Sequence, residues 1–440
     1  MGTKARSAAL LAIAMVTVAG CGGGGTPNAN ETAAAPLNPD SASGAITVLT
    51  NRTDLVQDGT MKKYAAEFNK TYPKVKVKFE AITDYEGEVK IRMNTENYGD
   101  VLLIPAAVSK GDYPKFFAPL GSTGDMKQTY RFTDKTDVNG RVYGIATFGT
   151  ANGFVYNKAV WKKAGITAWP KTAQEFLGDL RAVKDKTGAT PYYTNFKDGW
   201  PLTSPWTNSV GAVSCDSQAS DKLAATDKPW VKGSDLYALD SLLYDIVHDK
   251  LSEKDPTTTN WESSKTLLAK GQIGSMMLGS WAVNQMRDAA RKAGRNPDDI
   301  GFMPYPGQVG GTFCSTLVSD YQQAVNIHSG NKGAARAWID WFTEKSGYSA
   351  KEGAISALRA DALPATLEEY VDNDVKMVER SEAKTAEVNA VDQASEIGLS
   401  QQDYRQKLVD LARGAQKGSL QDYFDDLNKR WTQGRQTAGN

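Results

Sequence analysis

Histidine and cysteine are scarce in this chain of 440 residues, and neither sign of charge is in excess. The only histidines are His248 and His328, and neither lies at metal-ligand spacing from a cysteine, so a zinc site is not expected. Lysine and arginine together number 51, as do aspartate and glutamate. A chain without a basic excess lacks the electrostatic footprint of a general nucleic-acid-binding protein. The sequence therefore predicts no metal centre and no nucleic-acid partner, and nothing in it calls for a cofactor.

Long hydrophobic runs are also lacking. The apolar stretch 8–20 is shorter than the ~20 residues that a helix needs to cross a bilayer, and no later run approaches that length. Lys4 and Arg6 precede this stretch and small residues end it, which is the pattern of a secretory signal. The sequence therefore predicts export from the cytoplasm, and removal of the signal leaves the mature chain slightly acidic.

The end of this signal carries a cysteine. The sequence VAGC at 18–21 resembles the lipobox of bacterial lipoproteins, which implies that Cys21 is linked to diacylglycerol and becomes the first mature residue. An ordinary signal peptide with a chance cysteine is the alternative. Residues 22–44 are mostly small or polar, and such a segment buries too little apolar surface to offset its ordering entropy. We expect a flexible tether there.

If Cys21 carries lipid, Cys215 and Cys314 are the thiols that remain. Outside the cytoplasm two such thiols tend to pair, whereas a reducing compartment keeps them apart. The predicted export therefore predicts a disulfide between Cys215 and Cys314. Two isolated, buried cysteines are the alternative.

The folded part of the chain, about 395 residues, exceeds one ordinary core, so two domains are expected. Its first segment alternates strand and helix patterns in the order βαβαβ between residues 45 and 107. This order requires a parallel sheet with helices on its faces. Ligands of such sheets bind outside the carboxyl ends of the strands, so the loops after Thr50 and Ile104 are predicted to lie beside a cleft.

Five segments, in order, resemble the family 1 extracellular solute-binding proteins of carbohydrate ABC importers, the group that contains maltose-binding protein. The most specific are VYNK…KAGI…PKT between residues 155 and 172 and GSWAV at 279–283. The others are the opening strand and helix, GDVLLIPA, and YQQAVNIHSGNKGAARAWIDWF. The resemblance implies a two-lobed α/β fold of the periplasmic-binding-protein type II class. Each lobe would be a mostly parallel sheet flanked by helices, with the ligand cleft between the lobes.

The resemblance also implies a division of the chain. The expected parts are a signal peptide at 1–20, a lipidated cysteine and tether at 21–44, a first lobe at 45–148 plus 316–344, and a second lobe at 149–315 plus 345–440.

The function that the resemblance implies is capture of a sugar or oligosaccharide for the permease subunits of an ABC importer, by a monomer that is not an enzyme. It would be lipid-anchored at the outer face of a bacterial cytoplasmic membrane. The same fold binding a polyol phosphate, a peptide or a metal ion is the main alternative. A secreted glycoside hydrolase is a more distant one, because it needs two carboxylates across a cleft and no segment resembles a hydrolase motif.

Sugars present hydroxyl groups around a weakly apolar ring face, so their sites combine aromatic platforms with side chains that donate and accept hydrogen bonds. Trp281 is the first candidate, because it ends a buried strand where the family places a stacking tryptophan. Trp200 and Trp206 share the aromatic segment FKDGWPLTSPW, and one of them is expected to line the second lobe. Asp198 is a candidate acceptor beside them. Core packing of the tryptophans and solvation of Asp198 are the alternatives.

Polar residues are also candidates in the first lobe. Asn51, Thr53 and Asp54 follow the first strand, in a loop whose polar side chains contact sugar in the family. Capping of that loop by Asx-turns is the alternative. Thr150 lies in the first crossing between lobes, where maltose-binding protein has an acidic contact. This replacement, and the uncharged loop after Ile104, mean that maltose itself is not implied.

Overall fold

The structure is a computed structural model that describes Ala34 and residues 38–83, 85–105 and 108–439. The expected signal peptide and Cys21 lie outside the described residues. The strands are β1 (Gly44–Thr50), β2 (Val75–Ala81), β3 (Val101–Leu103), β4 (Gly121–Ser122), β5 (Asp137–Val138), β6 (Arg141–Val142), β7 (Ile145–Ala146), β8 (Gly149–Asn157), β9 (Thr190–Tyr192), β10 (Ile273–Gly279), β11 (Ile300–Met303), β12 (Gln308–Val309), β13 (Thr312–Ser319), β14 (Gln322–Val325) and β15 (Lys376–Glu379).

The helices complete the element order. They are α1 (Thr53–Gln57), α2 (Thr60–Thr71), α3 (Tyr85–Arg92), α4 (Tyr113–Phe116), α5 (Thr123–Thr129), α6 (Lys158–Ala164), α7 (Ala173–Thr187), α8 (Trp200–Asn208), α9 (Ala219–Lys222), α10 (Asp235–His248), α11 (Trp261–Ala269), α12 (Ala282–Lys292), α13 (Lys332–Glu344), α14 (Tyr348–Lys351), α15 (Glu368–Asp372), α16 (Thr385–Ser395), α17 (Gln402–Ala412) and α18 (Leu420–Ala438).

The first sheet forms the first lobe and has the strand order β2-β1-β3-β14-β7. Its β1, β2 and β3 are parallel, as the βαβαβ pattern predicts, and β14 returns antiparallel to β3. Helices α2 and α13 cover the sheet with an aromatic core. In that core Phe68 meets Trp338 edge-on, with ring centroids 5.2 Å apart. The carboxyl ends of the parallel strands therefore share one edge, which faces the second lobe.

The second sheet has the order β12-β13-β8-β10-β9, with β11 and β15 paired to β8 and β13. It is mixed rather than mostly parallel. Strand β8 enters from the first lobe and runs away from the crossing. Strands β9 and β10 are parallel to each other and run towards the crossing, so β10 pairs antiparallel with β8. All nine residues of β8 are buried, because the sheet is covered on both faces.

Three chain segments cross between the lobes and pair with one another. Thr147 N donates to Tyr321 O at 2.9 Å, and Asp320 N donates to Phe148 O at 2.9 Å. Gly149 pairs with Ser319 on one side and with Ile355 on the other. The crossing is therefore a three-stranded antiparallel arrangement rather than three loose linkers.

The second and third crossings lie later in the chain than expected. Strand β13 stays in the second sheet up to Ser319, so the return to the first lobe falls after that residue and not at 315/316. The third crossing falls near Ile355 rather than at 344/345. The reason is that Tyr348, beyond α13, still packs in the first-lobe core, with its ring centroid 4.9 Å from that of Phe342.

Part of the expected tether is packed. Ala34 and Ala42 are both buried against the first lobe. Ala34 N donates to Pro119 O at 2.9 Å, and the guanidinium of Arg336 donates to Ala34 O at 3.1 Å. The expected tether of residues 22–44 is therefore too long. Alanine side chains are small enough to pack on this surface of the first lobe, so the segment needs no large apolar groups to do so.

Cys215 and Cys314 are joined by a disulfide, with Cα atoms 5.5 Å apart. This is the pairing expected for two thiols outside the cytoplasm. The bond ties the segment after α8 to β13, and Thr316 of β13 donates to Asn208 O at 2.7 Å beside it.

Among the described residues, no helix has both the length and the apolar character to span a bilayer.

A buried ion pair joins α10 to α17 in the second lobe. Arg405 Nε donates to Asp240 Oδ1 at 2.8 Å, and neither side chain has any exposed surface. Trp230 Nε1 donates to Asp240 Oδ2 at 2.8 Å, and Tyr404 OH donates to the same oxygen. Because the Asp240 carboxylate and the Arg405 guanidinium are paired away from water, loss of one partner leaves a buried charge uncompensated.

We predict that Arg405→Met lowers the free energy of unfolding by about 3–5 kcal/mol, the usual cost of breaking a buried ion pair. Chemical denaturation of the purified protein measures this. The matched control is Lys407→Met on the same helix, whose pair with Asp403 is exposed, and it should change stability by about 1 kcal/mol or less. Equal effects of the two substitutions would show that the buried pair does not join the helices as described.

Candidate functional site

A cleft of about 890 Å³ lies between the two lobes. Ile104 and Pro105, at the carboxyl end of β3, line its first-lobe side, as expected for this loop. The crossing segment 319–322 lies at its floor, and helices α8 and α16 line its second-lobe side. Its size is within the ~300–1,000 Å³ typical of small-molecule sites.

Three tryptophans form a cluster at the carboxyl ends of β9 and β10. We call Trp200, Trp261 and Trp281 the tryptophan cluster. The ring centroids of Trp200 and Trp261 are 5.0 Å apart, and each is 5.8 Å from that of Trp281. All three side chains are only partly buried. The cluster thus offers aromatic surface at the edge of the second sheet where solutes of such sheets bind.

Helix α8 connects this cluster to the cleft. Trp200, Ser204 and Asn208 are spaced four residues apart, so they share one face of the helix. Ser204 and Asn208 line the cleft. A helix rises 1.5 Å per residue, so this face extends about 12 Å from Trp200 to Asn208. Trp200 thus begins the helix whose later residues Ser204 and Asn208 line the cleft.

The position of Trp281 depends on the glycine two residues before it. A Cβ atom on Gly279 would lie 2.4 Å from Trp281 Nε1 and 2.8 Å from Thr150 Oγ1, so only glycine lets the indole fold back on the strand end. Thr150 is buried, and its hydroxyl lies 3.1 Å from Ser280 Oγ. Thr150 therefore lies at the strand end that carries Trp281, and its contact with a solute stays a prediction.

The loop after β1 is ordered by an arginine. Arg52 donates to both carboxylate oxygens of Asp54, at 3.0 and 2.8 Å, and to Glu352 at 2.9 Å. The hydrogen bond from Arg52 holds the pKa of Asp54 below its usual value. Asp54 is thus engaged in ordering the loop, and Thr53 begins α1. Asn51, the third residue of this loop that is expected to contact a solute, lines a cavity.

That cavity, of about 80 Å³, lies beside the crossing. Asp320 and Tyr321 line both it and the large cleft, so the two spaces adjoin at the same crossing segment. Burial raises the pKa of the Asp320 carboxyl, and Lys135 and Arg52 oppose this change. The β1 loop therefore reaches the site from the first lobe, next to a carboxylate at the cleft floor.

One further expectation needs correction. Trp206 has no exposed surface and packs in the second-lobe core, 6.0 Å from Phe154 between ring centroids, so it offers no face to a solute. Asp198 Oδ2 accepts a hydrogen bond from Trp261 N at 2.7 Å. Asp198 thus holds the start of α11 beside the tryptophan cluster, and its contact with a solute stays a prediction.

Sequence reasoning missed Trp261 and Asp320. Trp261 is the first residue of α11, directly after the N-cap Asn260. The pattern of a core-facing helix does not require an aromatic residue at that position. Asp320 lies at the return to the first lobe, immediately after β13. Both residues lie where elements begin or end, and tertiary structure rather than a local pattern brings them to the site.

Two α/β lobes joined by paired crossing strands, with a polar cleft between them, define a two-lobed solute-binding protein. A family model described as "Bacterial extracellular solute-binding protein" matches residues 53–348, well over half of the chain. The chain belongs to this family, which confirms the family resemblance and places the protein outside the cytoplasm.

Solved structures agree over nearly the whole fold. A binding protein of an ABC transporter from Bifidobacterium animalis subsp. lactis, solved with mannobiose, is 32% identical with a TM-score of 0.79, and the match covers 91% of this chain and 96% of that one. A manno-oligosaccharide specific solute-binding protein from the same organism, solved with mannotriose, is 31% identical with a TM-score of 0.79 and the same coverage. These similarities confirm the two-lobed fold.

A curated relative is the "Multiple sugar-binding protein" of Streptococcus mutans, which is 24% identical over 297 residues. The match covers 65% of this chain and 68% of that protein. Family and structural neighbours are thus binding proteins of transporters and not enzymes.

We predict that Gly279→Ala displaces the Trp281 indole, because the new methyl group would overlap it. The near-ultraviolet circular dichroism of the tryptophan cluster should change, while the far-ultraviolet spectrum stays the same. Gly178→Ala is the matched control, since a Cβ atom there meets open space on α7. An unchanged near-ultraviolet spectrum for Gly279→Ala would contradict the packing described for Trp281.

Proposed function

We propose that this protein captures a sugar or short oligosaccharide outside the cytoplasm and delivers it unaltered to the permease subunits of an ABC importer. The observation that carries the proposal is a polar cleft between two lobes, lined by a helix that begins in the partly exposed tryptophan cluster. Aromatic faces match the apolar faces of sugar rings, and polar side chains along the cleft match their hydroxyl groups.

The relatives support the sugar class. The two bifidobacterial structures hold mannobiose and mannotriose, and a curated relative is named as the diacetylchitobiose binding protein of Streptomyces coelicolor. The bifidobacterial proteins match almost their full length at 31–32% identity. Manno-oligosaccharides are therefore the first solutes to test.

The proposed mechanism is closure of the lobes about the crossing strands. A solute that contacts both lobes favours the closed state by the contacts that only this state provides. The tryptophan cluster contributes from the second lobe, and Asn51 with the loop after Ile104 contributes from the first. The importer would then recognise the surface that the closed pair of lobes presents.

The alternatives receive less support. Arg52, the basic residue of the β1 loop, is engaged by Asp54 and Glu352, so it is not free to bind a phosphate group. In the described part of the chain, no group of three or more His, Cys, Asp or Glu side chains is arranged to hold a metal ion. A hydrolase would release product, which the experiment below detects.

We further propose that the protein is a monomer anchored by lipid on Cys21 at the outer face of the cytoplasmic membrane. The lipobox sequence at 18–21 supports the anchor. The family supports a position outside the cytoplasm, and the Cys215–Cys314 disulfide is typical of an oxidising compartment.

Titration calorimetry with mannobiose, mannotriose, a hexose phosphate and a tripeptide tests the proposal. We expect a manno-oligosaccharide to bind with about micromolar affinity, which corresponds to about −8 kcal/mol. The solute recovered afterwards should be chromatographically unchanged. Binding of only the phosphate or the peptide, or release of a cleaved sugar, would contradict the proposal.

We predict that Trp281→Ala weakens this binding by ~2 kcal/mol, about thirtyfold, because a stacking face is removed. Trp169→Phe is the control, since Trp169 is partly buried away from the cleft against Phe313 and Tyr370. Unchanged affinity for Trp281→Ala would remove this residue from the site.

A further inference from the structure

A segment of the first lobe reaches into the core of the second lobe at a place where the chain itself does not cross. Phe132 follows α5 of the first lobe, yet its buried ring packs in the same hydrophobic cluster as Ala151 and Leu317 of the second sheet. The ring lies so close to the crossing that it leaves no room for a Cβ atom on Gly149. Phe132 therefore joins the two lobes through side-chain packing alone.

The backbone of Phe132 is strained. Its φ is +64°, in the left-handed region that bulky residues rarely adopt. Such conformations persist only where the surrounding contacts impose them, and they are frequent at clamps and switch regions. Here one of these contacts comes from the second lobe, because Phe132 N donates to Glu379 Oε1 of β15 at 2.6 Å. A strained residue that the opposite lobe holds in place indicates a role in the geometry between the lobes.

Arg359 holds the same carboxylate. Its Nη1 and Nη2 atoms lie 2.9 and 3.2 Å from the two oxygens of Glu379, in a fork that matches the planar carboxylate. Arg359 is itself fixed to α5 of the first lobe, because its backbone N donates to Thr129 O at 3.0 Å and its Nε donates to Lys127 O at 2.8 Å. Glu379 of the second lobe thus receives hydrogen bonds from two groups that are fixed to the first lobe.

These contacts lie on the cleft side of the crossing. Lys135, three residues beyond Phe132, lines the cleft from the first lobe. Glu382, three residues beyond Glu379, lines it from the second lobe. Burial opposes ionisation of Glu382, but positively charged neighbours, of which Lys135 has the largest effect, outweigh it and hold its pKa below the usual value. Separation of the lobes at the cleft would therefore stretch these contacts, so the contacts favour closed lobes.

We propose that Phe132, Arg359 and Glu379, which we call the lobe link, form a noncovalent connection that favours closed lobes and so strengthens solute binding without touching the solute. All three are described residues that lie outside the lining of the cleft. The inference rests on the proposed function, because it requires that the solute binds the closed state. The three are positioning residues, since a solute binds more weakly in proportion as its binding-competent state is less populated.

Glu379→Gln in the full chain tests the lobe link, because it removes the charge that pairs with Arg359 and keeps the size of the side chain. Titration calorimetry should show affinities for mannobiose and mannotriose that are both about fivefold weaker. The factor should be the same for the two sugars, because the closed population falls and no sugar contact is lost. Small-angle X-ray scattering of the ligand-free variant should give a larger radius of gyration than the wild-type protein gives. Saturating mannotriose should restore the radius of the wild-type complex.

Glu387→Gln is the matched control. It makes the same change on an exposed side chain of α16, whose partner Lys384 is also exposed, so it should alter neither the affinities nor the radius. Thermal unfolding checks that each variant folds. Arg359→Gln removes the same ion pair from the other side and serves if Glu379→Gln does not fold.

The outcomes separate the lobe link from the proposed function. An unchanged ligand-free radius would overturn the lobe link, and so would unchanged affinities or factors that differ between the two sugars. If the wild-type protein binds neither sugar, the proposed function is wrong, and the ligand-free radii alone decide the lobe link. A larger radius for Glu379→Gln then supports the link, and an equal radius overturns it.

Discussion

The antiparallel pairing of three crossing segments at Gly149 is the constraint on which the rest of this structure depends. Gly149 exchanges both backbone hydrogen bonds with Ile355, and its other edge pairs with Ser319. A Cβ atom at this position would lie 2.3 Å from the ring of Phe132, so a side chain has no room. The pairing fixes where each sheet ends and thus where the two lobes face each other.

The polar lining of the cleft follows from this arrangement. The crossing supplies polar side chains from 319 to 322 to the cleft. Strands β9 and β10 run towards the crossing, and the tryptophan cluster gathers on the second lobe at their carboxyl ends. Hydrogen-bonding side chains and aromatic faces together suit a sugar.

The sequence predicts those features that depend on local pattern. The parallel β1, β2 and β3 follow from the alternation of strand and helix, whereas Trp281 is a candidate that the family resemblance supplies at the end of a buried strand. Trp206 was a wrong candidate because α8 is helical. Residues six apart on a helix point about 120° apart, so Trp200 and Trp206 cannot share a face. Trp261 and the polar floor come together only through tertiary structure, which no local pattern reports.

A crystal structure of the protein with mannotriose tests the central claim most directly. The account predicts closed lobes with the sugar between them and one sugar ring against the tryptophan cluster. A sugar bound elsewhere on the surface, or lobes closed on a sugar that does not touch this cluster, would contradict it.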